Sequence, residues 1–105
     1  MEPTRYDIVV KKGEDWEQPI TVEDADLTGA TAAAQIRKRA GDETLTQAIT
    51  CVIDADAGTV TMSLTRAETA AITAGSYVYD LRLDIDGKRK FPIQGKFEVW
   101  ESVTV

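Results

Sequence analysis

The chain contains no histidine among its 105 residues, and that gap removes more chemistry than any residue present supplies. Ser-His-Asp and Cys-His catalysis need an imidazole base, and His-ligated metal centres need it as a donor. Cys51 is the single cysteine, so an intrachain disulfide and a thiolate metal cage are both excluded. It stands among Ile49, Val52 and Ile53, where a thiol behaves as a small hydrophobe rather than a nucleophile. Such cysteine usage fits synthesis in a reducing cytosol. No run of about 18 apolar residues exists, so no membrane span is expected. Met1 to Arg5 lacks the basic-then-apolar order of a secretion signal. Positive charge is also scarce: 12 Lys and Arg stand against 18 Asp and Glu, for a net charge of −6. Nucleic acids and anionic membranes call for clustered cations, so neither is an expected partner. The two short basic clusters, Arg37-Lys38-Arg39 and Lys88-Arg89-Lys90, read as solvated strand ends or turns. The glycines are scattered one per turn or strand, and no phosphate-cradling loop is formed.

What the chain does have is alternation. From Gly75 to Gly87, Tyr77, Tyr79, Leu81, Leu83 and Ile85 take every second position, with polar residues and Val78 between them. Period two over that length describes a strand with one buried face. A one-sided strand points to an antiparallel sheet, since parallel strands are covered on both faces. Tyr6 to Val10 is a short β-branched run, and Trp16 to Val22 is a second strand. Pro19 assigns the latter to a sheet edge or a bulge, because proline cannot donate to the ladder. Ala30 to Lys38 alternates small residues with polar ones, and a helix there remains open. Ala48 to Asp54 and Thr59 to Leu64 supply two more strands. Thr65-Arg66-Ala67-Glu68 is a capping box that opens a helical turn over Arg66 to Ile72, ended by Gly75.

Face matching sets the last hairpin. A two-residue Asp86-Gly87 turn would place Leu83 against Lys90, so a three-residue loop over Asp86-Gly87-Lys88 is expected. It sets Leu83 opposite Phe91, Leu81 opposite Ile93, Tyr79 opposite Gly95 and Tyr77 opposite Phe97. Phe97, Val99, Val103 and Val105 then continue the buried parity. The sum is an all-β chain: an antiparallel immunoglobulin-like β-sandwich of about seven strands with one short helical turn, one domain across residues 1–105.

Sites are few. Carboxylates are plentiful, but a sandwich this small has little room for a cleft that would shift a pKa, so no enzyme is expected. Asp54-x-Asp56-x-Gly58 looks like the start of a calcium loop; Thr65 stands where a twelfth-position glutamate is needed, and turn chemistry accounts for the pattern. No cofactor or metal is expected. Trp100 shares the outward face with Glu98, as an interface anchor or a residue under the N-terminal segment, and Trp16 is divided the same way. Tyr6 near one end and Val103 and Val105 at the other complete the candidate interface residues.

The order of motifs resembles that of small phage and prophage virion proteins, including the Ig-like N-terminal domain of phage baseplate upper proteins. It runs from Lys12-Gly13-Glu14-Asp15-Trp16 through Asp26-Leu27-Thr28-Gly29-Ala30-Thr31, Ile36-Arg37 and Gly58-Thr59-Val60. It continues through Thr65-x-x-Glu68-Thr69 and Gly75-Ser76-Tyr77-Val78-Tyr79-Asp80-Leu81 to Gly95-Lys96-Phe97-Glu98-Val99. The likeness covers about Lys11 to Val103. It implies a non-enzymatic structural subunit of the virion, in tail, baseplate or head, made in the host bacterial cytoplasm. Its partners would be other virion proteins and copies of itself, as a homo-oligomer in the particle. The competing reading is a carbohydrate- or calcium-binding sandwich with Tyr77, Trp100 or the Asp54–Gly58 turn as its site.

Overall fold

The computed structural model describes residues 4–22 and 26–104. Within them the alternating segments form eight strands: β1 (Thr4–Arg5), β2 (Ile8–Lys11), β3 (Trp16–Thr21), β4 (Thr31–Arg37), β5 (Gln47–Asp54), β6 (Thr59–Leu64), β7 (Gly75–Ile85) and β8 (Lys88–Trp100). One six-residue helix, α1 (Arg66–Ala71), joins β6 to β7. The strand order is β1-β8-β7-β4-β5-β6-β3, with β2 also on β8.

β5 turns this ribbon into two layers. Its first residues, Gln47 to Ile49, pair with β4, and Thr50 to Asp54 pair with β6. The sheet folds over there, and the far strand β3 comes to face β8. Trp16 of β3 meets Phe97 of β8 edge to face at 5.4 Å, and Tyr79 meets the same ring at 6.1 Å. Phe97, Ile36, Leu81, Leu83, Val60 and Met62 are sealed from solvent between the layers. Each comes from the apolar parity of its strand. β4 is a strand: its Ala32, Ala33 and Ala34 pair with β7, and Ala34 pairs with β5 as well. Pro19 lies, as expected, on an edge strand, since β3 pairs only with β6.

Three expectations are corrected. The sheet is mixed, because β1 and β2 run parallel to β8 rather than antiparallel to it. The β7–β8 turn has two residues, with Asp86 at φ 50° and Gly87 at φ 76°. Positive φ at both positions is the type I′ geometry, whose twist suits a hairpin. Leu83 therefore does face Lys90. Face matching is restored by a bulge, in which Phe91 and Pro92 together oppose Arg82. Pro92 has no N–H to lose, so the break in the ladder falls where it costs least. Beyond the bulge, Leu81–Ile93, Tyr79–Gly95 and Tyr77–Phe97 pair as expected. Phe91 is left 42% exposed instead of buried against Leu83. Finally, the buried parity stops at Val99: β8 ends at Trp100, and Val103 is 99% exposed. Val105 lies outside the described residues.

α1 forms as its capping box predicts. Thr65 Oγ1 accepts from Glu68 N at 3.2 Å, and the Glu68 carboxylate accepts from Thr65 N at 2.9 Å. Its end is set one turn earlier than Gly75, at Ile72, whose extended backbone sends its side chain into the core. Just beyond, Tyr77 Oη donates to the carbonyl of Thr73 at 2.6 Å, fixing the corner where the chain enters β7.

Candidate interaction surfaces

The N-terminal segment is pinned across the edge of β8 at one glycine. Tyr6 N donates to Gln94 O at 2.8 Å, Lys96 N donates to Asp7 Oδ1 at 2.9 Å, and the Tyr79 hydroxyl donates to the Tyr6 carbonyl. Gly95 lies directly beneath, where a Cβ would collide with the Tyr6 carbonyl and the Asp7 carboxylate. The Lys96 amide, helped by the Arg5 guanidinium at 3.2 Å, holds Asp7 below the usual carboxylate range. Burial, reinforced by Tyr6 and Asp7, pushes the Tyr79 phenol well above the ordinary tyrosine range. Tyr6 remains 37% exposed and reaches back to β3, donating from Oη to Gln18 Oε1 at 3.1 Å.

A second tie joins the β2–β3 turn to α1. Thr69 is fully buried; its hydroxyl accepts from Gly13 N at 3.0 Å and donates to Glu14 O at 2.8 Å. Asp15 caps the helix from outside, accepting from Arg66 N at 2.9 Å and pairing with its guanidinium at 2.9 Å. The Arg66 side chain and then its amide hold Asp15 below the usual carboxylate range. The Gly13-to-Trp16 and Thr65-to-Thr69 motifs are thus two halves of one joint.

The candidate interface residues do not converge. Trp16 is half-buried and packs on Phe97 at the margin of the core. Trp100 is 52% exposed on the outward side of β8, paired with Lys11 of β2. Tyr6 bonds Gln94, six positions back along the same strand and so roughly 20 Å away. Asp54 Oδ1 accepts from Ala57 N at 3.1 Å, as turn chemistry requires. Burial pushes the Cys51 thiol up, away from the reactive range.

A feature absent from the residue-level reading is a groove of about 590 Å³ on the outer face of β4, β7, β8 and β1. Arg5, Arg37, Arg39, Arg82, Arg89 and Lys96 line it, half of the chain's Lys and Arg. Cross-strand pairing makes the rows: Arg37 beside Val78 and Lys96, Gln35 beside Asp80, Gln94 and Arg5. Arg82 Nε is buried 3.4 Å from Asp84 Oδ2 without a hydrogen bond. Desolvation raises Asp80 above the usual carboxylate range, against the pull of Arg37 and Arg82. The two basic clusters of the sequence are strand ends, yet one residue or more of each lines this one groove. The signal was the set of outward positions on adjacent strands.

The architecture has a known counterpart. The family model of the LtfC-like, beta-sandwich domain matches residues 2–101. The chain belongs to this family. LtfC is a phage tail-associated protein, so the resemblance to phage β-sandwich proteins holds at family level. No curated protein matches the chain. The LtfC-like match spans both structural ties described above, the Gly95 crossing and the Thr69 joint.

Proposed function

We propose that this LtfC-like domain is a non-enzymatic structural protein of the phage virion, working in the tail or baseplate, or as a head accessory, through contacts with copies of itself and other virion proteins. The observation that carries this is the family match over residues 2–101. The finer fold reading is immunoglobulin-like. Support comes from the Tyr77–Thr73 corner at the start of the penultimate strand and from two facing layers joined at β5. Trp100, Tyr6 and Val103 are exposed apolar groups outside the core, suited to anchoring a neighbour. Many copies in a symmetric particle make a modest contact strong through multivalency.

Mass spectrometry of purified virions, separated into heads and tails, tests the proposal. The chain is expected in the particle, in the tail fraction. Absence from both fractions would overturn it. Trp100→Ala is expected to leave folding intact and reduce incorporation.

A further inference from the structure

We infer that the basic groove is a docking site for the β5–β6 hairpin of a second copy of this chain, packed head to tail. This rests on the assembly reading above and adds which two surfaces meet. The first observation is charge segregation. Six cations line the groove, against Asp80 in its wall and Asp7 and Asp84 paired to its arginines, a local charge of +3. The rest of a chain of net −6 therefore carries −9. A site of one sign on a molecule of the other calls for an acidic occupant, and the chain itself supplies that chemistry.

The hairpin offers the matching shape. Its tip, Asp54-Ala55-Asp56-Ala57, is exposed throughout and narrow, with only alanine between its two carboxylates. Val52, 60% exposed, shares the Asp54 side of β5. The groove presents the complement: Arg39 and Arg89 exposed, the buried Arg82 Nε without a hydrogen bond, and apolar Phe91 and Val78. None of the hairpin residues lines the chain's own groove, so the contact is between copies. Because the two surfaces differ, the association is heterologous and propagates as a ring or a filament. A nucleic acid would meet the same arginines, but also the −9 of the remaining surface.

Sedimentation velocity at low and high salt tests the pairing. The wild-type chain is expected to associate with rising concentration and to dissociate in salt. Arg39→Glu with Arg89→Glu, and separately Asp54→Lys with Asp56→Lys, should each weaken association roughly tenfold or more. All four positions are exposed, and melting curves verify folding; Arg39→Gln with Arg89→Gln gives a milder check, expected to fall between. Mixing the two charge-reversed proteins sets an intact groove against an intact hairpin and a reversed groove against a reversed hairpin, both of opposite sign, and should restore association. A wild-type chain that stays monomeric at low salt, or a mixture that stays monomeric, overturns the inference. A monomeric chain that is nonetheless recovered from virions would overturn this pairing alone, whereas absence from virions would overturn the assembly reading.

Discussion

The hydroxyl of Tyr79 donates to the main-chain carbonyl of Tyr6, 73 positions earlier, directly above Gly95. The bond exists only because nothing stands between the strands at that point. Gly95→Ala is expected to destabilise the domain by roughly 1–3 kcal/mol, since the added methyl must displace the Tyr6–Asp7 backbone. Hydrogen exchange at the Tyr6 and Lys96 amides should accelerate in the same variant. If both amides keep wild-type protection, the crossing is not what Gly95 serves.

The Tyr79 phenol also gives a sign at high pH. Its folded pKa is raised, so the unfolded chain ionises first, and stability falls once pH passes the unfolded value of about 10. Tyr79→Phe, which costs about 1 kcal/mol at neutral pH through the lost hydrogen bond, should lose less stability on alkaline titration. Parallel slopes for the two proteins above that pH would contradict the assignment.

Tyr77→Phe keeps the buried ring and removes only the bond to Thr73 O. A cost of about 1 kcal/mol is expected, or a drop in Tm of about 4–8 °C for a domain of this size. An unchanged Tm would mean that packing alone holds the corner between α1 and β7.

Acid should loosen the joint between the β2–β3 turn and α1. Asp15 has a depressed pKa from the Arg66 side chain and amide, so its contribution is complete above the ordinary carboxylate range and is lost as pH falls through the lowered value. Asp15→Asn should flatten the acid limb of a Tm-against-pH curve. Thr69→Val should cost more, about 1 kcal/mol or somewhat above, and independently of pH, because the buried hydroxyl bridges the Gly13 amide and the Glu14 carbonyl. Equal acid limbs for wild type and Asp15→Asn would remove Asp15 from the joint.

Asp80 behaves in the opposite sense. Burial raises its pKa, so its ionised form disfavours the folded state at neutral pH. Asp80→Asn should equal or exceed wild type in Tm at neutral pH, and the difference should shrink as acid protonates the native carboxyl. A variant less stable than wild type at neutral pH would show that Arg37 and Arg82 outweigh desolvation.

Much of the fold was legible because alternation is a local property. Val60, Met62 and Leu64, the capping box of Thr65 and Glu68, and the Tyr77-to-Leu81 stretch each state their structure within a few residues. The final hairpin was legible in its outer half, where Tyr77, Tyr79 and Leu81 pair as their parity demands. It was not legible near the turn, because a bulge at Phe91–Pro92 resets parity, and its position depends on the geometry of Asp86–Gly87 rather than on side-chain type. The parallel docking of Ile8 to Lys11 on β8 left no local mark at all. The groove was hidden for a related reason. Arg5, Arg82 and Lys96 are single cations in separate segments, Arg37 belongs to a cluster in another, and only strand order makes them neighbours. The motifs carrying the family resemblance were visible before their purpose was; Thr69 and Gly13 explain each other once they are seen in contact.

The parallel pairing of β1 and β2 with β8 has a consequence for biogenesis. Asp7 and Lys96 meet across 89 positions, so β1 and β2 can find their seat only after β8 has left the ribosome. Closure of so distant a loop is slow, and until it happens the flank of β8 is bare. In a crowded cell that late seam is where one nascent copy would capture the wrong neighbour, and where a prematurely stopped product would aggregate.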